Sequence, residues 1–375
     1  MILGILKAAG DERRVAMIPD EVATLIKMNV KVLIETGSGE KAFFTDNDYV
    51  HVGAQITSRD EIFSSADLVI QINPFSIEET EKIKTGQCIM SVLNPLANKP
   101  LVEQLIQKKV TAFGLDIVPR TTRAQAMDIL SSMATVSGYK AVLTAANILP
   151  QFFPMFMSAA GSIKPAKALI LGAGVAGLQA LATARKLGAV VEVFDVRAAV
   201  KEEVMSLGGK FVEVEGATDS KAAGGYAVEQ TEEFLKKQKE AIHNSAVKAN
   251  VVICTAQIPG KPAPVLLLKD TVEKMPRGAV IIDLASSTGG NCELTKDNET
   301  IVHNHVTIIG NSDLASTLPI DASRMFGKNV LNFLKLIIDK DGGLQLNFED
   351  DIVKGTCVTH AGAVVSDRVK SFLNL

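Results

Sequence analysis

The sequence predicts an α/β protein of two lobes, each a mostly parallel β-sheet flanked by helices, with a cleft between them. Three observations predict it. Short apolar runs alternate with stretches of helical spacing. One of these runs leads into a glycine-spaced turn and then a helix. The chain's 375 residues also exceed the length at which one hydrophobic core usually keeps growing.

Composition sets the outer bounds. With 47% hydrophobic residues, 22% charged residues and 28 Gly, the chain is that of a folded globular protein. A formal net charge of −3 and the lack of a long basic block argue against a nucleic-acid partner. The opening MILGILKAAGDERR has a short apolar run, but Lys7 and the charges from Asp11 onward break any signal-peptide pattern. It reads as an edge-of-domain β-strand. No 18 consecutive apolar residues occur, so membrane association requires another chain or segment. Cys88, Cys254, Cys292 and Cys357 are scattered, without zinc-ribbon or CxxC spacing. His303 and His305 would share one side of an extended strand and read as a surface strand pair, not a metal site.

The first lobe is placed at residues 1–135 and completed by 315–375. Its strands fall near 2–6, 30–34, 67–72, 88–93 and 110–115. Ala8 to Pro19 reads as a polar loop. Pro19-Asp20-Glu21 followed by Val22, Leu25 and Ile26 reads as a helix start with acidic residues in its first turn. Residues 123–150 suit a long connecting helix, broken or bent near Gly138. After it come Phe152, Phe153, Met155, Phe156 and Met157, either an apolar stripe gripping a ligand or, favoured here, interhelical packing.

The second lobe, residues 136–314, opens with AKALILGAGVAGLQALATARKLGAVVEVFD, a complete β-α-β unit that makes the architecture Rossmann-like. Runs at 251–255, 279–284 and 306–310 extend its parallel sheet. Residues 215–240, with Gly224-Gly225-Tyr226 at the centre, read as a mobile loop feeding a charged helix. A helix near 321–338, stopped by Asp339-Lys340-Asp341-Gly342-Gly343, crosses back. The tail LQLNFEDDIVKGTCVTHAGAVV then reads as short strands with turns.

GxGxxG alone is a weak pattern; placed between a strand and a helix it points to a dinucleotide. Gly172 makes the tight turn, Gly174 lets a pyrophosphate approach the backbone, and Gly177 lets helix and strand pack closely. The helix N-terminus, with Val175 and Ala176, presents N–H groups and a positive dipole end to the phosphates. Asp195 ends the next strand, where a carboxylate accepts from both adenosine ribose hydroxyls and repels a 2′-phosphate, favouring NAD(H) over NADP(H). Val196 and Arg197 follow it. Arg197 is the complication, because a guanidinium there can accommodate a phosphate; its alternative role is pairing with a local carboxylate, and the acidic strand end is given the greater weight. Gln257, after a later strand, is a further cofactor candidate. The polar segment Arg120, Arg123, Gln125, Asp128, Ser131 either orients a ligand amide and ribose in the cleft or forms a capped, salt-bridged connector helix.

RTTRAQAMDILSS at 120–132, LGAGVAGLQA at 171–180, GGYA at 224–227, IPGKPAPVL at 258–266 and GGNCELT at 289–295 together resemble the NAD(H)-binding first domain, the soluble portion of the alpha subunit, of the proton-translocating NAD(P) transhydrogenases. The resemblance covers nearly the whole chain; QINPFS at 71–76 and LNPLANKP at 93–100 depart from it. It implies that Arg120, Gln125, Asp128 and Ser131 lie by the nicotinamide and its ribose as the catalytic set. It implies, too, that Tyr226 sits on a loop closing over NAD(H), and that Gly172, Gly174, Gly177 and Asp195 hold the pyrophosphate and adenosine ribose. The activity implied is Re/Si-specific hydride exchange with NADP(H) carried by a partner domain, coupled to protons through a membrane-spanning domain. A homodimer is implied, peripheral on the cytoplasmic side of a bacterial inner membrane or the mitochondrial matrix side. Such exchange moves no proton at the reacting carbons, so no catalytic His or Lys is needed. The sequence is also similar to alanine dehydrogenases: Arg14 matches their substrate-binding arginine, but Gln71 and Asn94 stand where their lysine and histidine are expected. A non-catalytic NAD-binding regulatory module is the third reading.

Overall fold

A computed structural model describes residues 1–214, 216 and 231–374. The chain divides into two compact units, residues 1–133 with 316–375, and residues 134–315.

In the first unit β1 (Ile2–Ile5), β2 (Lys31–Glu35), β3 (Gln55–Thr57), β4 (Leu68–Ile70), β5 (Cys88–Ser91) and β6 (Thr111–Gly114) run parallel in the order β6-β5-β4-β1-β2-β3. The N-terminal run, expected at an edge, is an interior strand paired with β2 and β4. Both faces of the sheet are covered here, with Leu3 and Ile5 in one apolar cluster and Leu6, just beyond the strand, in another, so all three are buried. Gly4 leaves room for a helix on one face, because a Cβ there would lie 2.2 Å from Ile62 Cγ2. β3 escaped the sequence reading because three half-buried or exposed residues carry little apolar signal. The helix α1 (Pro19–Lys27) begins as expected, with Pro at its start and the Glu21 carboxylate accepting the Ile18 N–H at 3.2 Å. The loop before it is less polar than its composition suggests: Val15, Ala16, Met17 and Ile18 are buried.

A 3₁₀ turn over Thr122–Met127 leads into α2 (Ile129–Ile148), within which the chain passes from the first unit to the second. The helix runs unbroken through Gly138; the interruption comes at Asp128. Gly138 serves close approach instead, since a Cβ there would lie 2.1 Å from the Ala176 carbonyl oxygen. The apolar stretch after α2 is not interhelical packing. Strands β7 (Phe156–Ser158) and β8 (Gly161–Ile163) pair as a separate two-stranded ribbon. Phe152, Met155, Phe156 and Met157 are exposed there and Phe153 is buried.

The second unit's sheet contains β9 (Lys167–Leu171), β10 (Val190–Phe194), β11 (Lys210–Phe211), β12 (Val251–Cys254), β13 (Val280–Asp283), β14 (Thr300–His303) and β15 (Val306–Gly310). Their order is β11-β10-β9-β12-β13-β15-β14, parallel except for β14 at the edge. His303 and His305 do not share a strand. His303 ends β14, pairing with Val306, and Asn304 and His305 form the two-residue turn with φ of 47° and 65°, the left-handed pair that a tight hairpin of this twist demands.

The chain returns to the first unit through α3 (Pro319–Ile337), whose Phe326, Val330, Phe333, Leu334 and Ile337 are fully buried. Asp339 ends it by accepting the N–H groups of Asp341 and Gly343. The tail is not strands alone. Asp350 caps a helix over Asp351–Thr356, and only then do β16 (Cys357–His360) and β17 (Ala363–Val364) form, with β16 antiparallel to β6. Among the described residues no helix is long and apolar enough to cross a membrane. The four cysteines are buried and unpaired.

Candidate functional site

Each motif glycine has its own steric reason. Gly172 has φ +104°, and a Cβ there would lie 2.6 Å from Thr255 Oγ1. Gly177 is closed still more tightly, since a Cβ would meet the Gly172 carbonyl oxygen at 1.8 Å. Gly174 is the opposite case: a Cβ there meets nothing within 4 Å, and φ −78° is open to any residue. Gly172 and Gly177 therefore build the turn, and Gly174 leaves a bare backbone facing open space. Beyond it the helix Val175–Lys186 begins, with Gly174 and Val175 exposed and Ala176 half-buried. Its first N–H groups have no intrahelical acceptors and carry the positive end of the dipole. A bare backbone and N–H groups without intrahelical acceptors suit the pyrophosphate of a dinucleotide.

Asp195 stands directly after β10, beside this turn. Its Oδ2 accepts the Ala173 N–H at 2.7 Å and its Oδ1 the Arg197 N–H at 2.8 Å. Arg197 also pairs with it through the side chain, Nε to Oδ1 at 2.9 Å and Nη2 to Oδ2 at 2.8 Å. Val196 between them is half-buried. Gln257 is exposed, and its Nε2 donates to the Leu284 carbonyl at 3.0 Å. Tyr226 and the loop around it lie outside the described residues.

Sequence reading missed the residues that brace this edge of the sheet. Thr255 Oγ1 donates to the carbonyls of Leu171 and Gly172, both at 3.1 Å. Asp283, fully buried, accepts the N–H groups of Ala285, Asn291 and Cys292 and the Thr295 hydroxyl. Asn291, also fully buried, accepts from the Ala256 N–H and donates to the carbonyls of Ala256 and Pro264. Two motifs that stood out in the sequence, at 258–266 and 289–295, are thereby tied to each other. Nothing in their spacing pairs them. Burial pushes the Cys254 thiol well up and Cys292 up to about 11, so neither offers a thiolate near neutrality.

In the first unit, Arg120 and Gln125 are exposed, Gln125 on the 3₁₀ turn. Asp128 caps α2: its Oδ1 accepts the Ser131 N–H at 3.0 Å and its Oδ2 the Ser131 hydroxyl at 2.6 Å. Arg123 forks onto Asp350 at 2.7 Å through both terminal nitrogens and also reaches Asp351. The capped, salt-bridged connector weighed from the sequence is thus present, with Asp128 and Ser131 held to each other at its start. Arg14 is occupied as well. Glu12 accepts from its Nε at 2.8 Å and Nη2 at 2.5 Å. Burial of Glu12 works against its charge, but the Arg14 guanidinium outweighs it and holds the carboxyl below its usual range. Gln71 is buried with its amide donating to the Pro74 carbonyl, and Asn94 adopts a left-handed φ of 48°. Among the described residues no cluster of His, Cys, Asp and Glu could hold a metal ion.

Residues 6–137 match the family described as alanine dehydrogenase/PNT, N-terminal domain, and residues 141–367 its C-terminal domain. The chain is 47% identical over 363 residues to the first of the alpha-subunit chains of the Rhodospirillum rubrum NAD(P) transhydrogenase, covering 94% of each. A crystal structure of transhydrogenase from Sinorhizobium meliloti superposes with a TM-score of 0.89 at 36% identity, covering 97% of this chain and all of that one. A structure of L-alanine dehydrogenase gives 0.83 at 25% identity, over 100% of this chain and 99% of that one. With both domains matched and a close relative spanning almost its whole length, the chain belongs to the alanine dehydrogenase/PNT family and, within it, to the alpha subunits of the NAD(P) transhydrogenases.

Proposed function

We propose that the chain is the NAD(H)-binding component of a proton-translocating transhydrogenase. The observation that carries this reading is the Gly172-x-Gly174-x-x-Gly177 turn, two glycines locked by contact and one left bare, with Asp195 beside it. An acidic strand end suits the ribose of NAD(H) and opposes a 2′-phosphate. Gly174 and the N–H groups of Val175 and Ala176 hold the pyrophosphate; Asp195, with Val196 beside it, serves the adenosine ribose, and Arg197 stands at that subsite paired with Asp195. Gln257 and Tyr226 complete the nucleotide contacts. The bound dinucleotide supplies a nicotinamide C4 that gives or receives a hydride.

The nicotinamide end falls to Arg120, Gln125, Asp128 and Ser131 in this reading. Arg120 and Gln125 are exposed and carry donors that suit a carboxamide. Asp128 and Ser131, fixed on each other at the start of α2, present a prearranged carboxylate and hydroxyl to ribose. Their work is alignment, because direct ring-to-ring transfer moves no proton that a side chain must accept. NADP(H) is bound by a partner domain, and a membrane-spanning partner domain couples exchange to protons. The chain is a homodimer on the cytoplasmic or matrix face of that membrane. Amino-acid oxidation fits less well, since Glu12 occupies Arg14 and an amide stands at Gln71.

Calorimetry with NADH, NAD⁺, NADPH and NADP⁺ tests the binding half of this reading. NADH and NAD⁺ are expected to bind, with NADPH much weaker. Tighter NADPH binding overturns it. A non-catalytic module would bind NADH alike but give no hydride transfer with an NADP(H)-loaded partner.

A further inference from the structure

An ionised carboxylate offers about four acceptor positions, and at Asp195 four donors are already in place. Two are backbone N–H groups, from Ala173 at 2.7 Å and Arg197 at 2.8 Å. They belong to the turn and the strand end and can stay while a ligand binds. The other two come from the Arg197 side chain, at 2.9 Å and 2.8 Å. The Asp195 side chain is only 7% exposed and that of Arg197 23%, so the guanidinium is the more accessible member of the pair. A ribose diol needs two acceptor positions on this carboxylate. The guanidinium holds the two that can be vacated without unmaking the backbone.

We propose that Arg197 is the specificity-determining residue of the nucleotide site, acting as a built-in competitor for the adenosine ribose diol. This rests on the reading of the Gly172 turn as the NAD(H) site. The closed pair lowers the apparent affinity for NADH, because only the fraction of molecules with the guanidinium released is competent to bind. The same pair blunts discrimination. Asp195 alone would set a bare negative charge against a 2′-phosphate; with Arg197 beside it the local charge is neutral, and the displaced guanidinium is a fork suited to phosphate. Arg197 thus trades NADH affinity and selectivity for a readily reversed site.

Two variants separate the competitor role from the charge. Arg197→Ala removes both, and calorimetry should show NADH binding tightened roughly five- to tenfold, with the ratio of NADPH to NADH dissociation constants widened by more than about tenfold. Arg197→Lys keeps the charge but cannot fork across both oxygens. It should tighten NADH binding with the ratio close to that of the unaltered chain. Circular dichroism verifies the fold of each, and if Arg197→Ala does not fold, Arg197→Lys still decides the competitor role. Weaker or unchanged NADH binding in the folded variants overturns the proposal, as does an unchanged ratio in Arg197→Ala. Should the unaltered chain bind no NADH, the reading of the Gly172 turn itself has failed, a different result from either of these.

Discussion

The three glycines of the turn predict three different phenotypes for the same substitution. In Gly177→Ala the new Cβ would sit 1.8 Å from the Gly172 carbonyl oxygen and 2.9 Å from its carbon. Both obstacles are backbone, so helix and strand must separate. Overpacking of this kind costs on the order of 1–3 kcal/mol, which for a unit of this size lowers Tm by roughly 2–12 °C. Gly172→Ala combines φ +104° with a 2.6 Å approach to Thr255 Oγ1 and should be at least as damaging. Gly174→Ala places its methyl in open space at an ordinary φ of −78°. Its stability should stay within about 1 kcal/mol of the parent, a weaker helix cap offsetting a stiffer unfolded chain. If the pyrophosphate meets the backbone at Gly174 as proposed, the methyl stands in its way and NADH affinity should nevertheless fall by on the order of tenfold or more. Thermal melts with calorimetry on the same preparations test this. Unchanged NADH affinity in Gly174→Ala would refute the backbone-approach argument, and an unchanged Tm in Gly177→Ala would refute the contact.

Gln125→Asn, which retains the amide but shortens its reach, should leave NADH affinity near normal and slow single-turnover hydride transfer on the order of 10²-fold; unchanged transfer rejects a positioning role. Asp128→Ala should cost about 1 kcal/mol through loss of the α2 cap and also weaken NADH binding, whereas a purely structural cap predicts the first effect alone. Glu21 is the group whose burial raises its carboxyl from 4.5 to about 6. The folded chain therefore holds this proton more tightly than the unfolded one, so its contribution to stability is fully present below about pH 4.5 and lost as pH rises through 6. Glu21→Gln keeps an acceptor for the Ile18 N–H and should raise stability at pH 7 by on the order of 1 kcal/mol, flattening the profile between those values; a steeper profile would contradict it. Tyr226 should lie in a segment, residues 215–232, whose amide exchange slows when NADH binds.

How far the sequence reveals this molecule depends on the range of the interaction. Strands such as Val251–Cys254 and Val280–Asp283 are legible because they are continuous apolar runs covered on both faces. The left-handed φ of Gly172 and the contact of Gly177 with Gly172 are legible because both act within a few residues of the turn, whereas the approach of Thr255 to Gly172 is not. Glycine at 138 reads as a helix bend from local propensity, and only the neighbouring Ala176 carbonyl reveals it as a contact. The same limit hides the Asp283 and Asn291 bracing; the occupation of Arg14 by Glu12 is only two residues in range yet equally silent, since a side chain's choice among several acceptors has no periodicity, whereas the pairing of Arg197 with a local carboxylate stood as an open alternative in the sequence and is what forms. Apolar composition misleads at Phe152–Met157, where a two-stranded ribbon leaves most of the side chains exposed.

The proposed function turns on hydride passing directly between a nicotinamide held by this chain and one held by a partner. It is tested most directly by loading the chain with NADH deuterated at the transferred C4 position, mixing it with NADP⁺-loaded partner domain, and analysing the NADPH formed in a single turnover by mass spectrometry. Direct transfer gives NADPH carrying the deuterium with none from solvent, and fails when the chain is omitted. NADPH formed with solvent hydrogen at C4, or equal transfer without the chain, would contradict it.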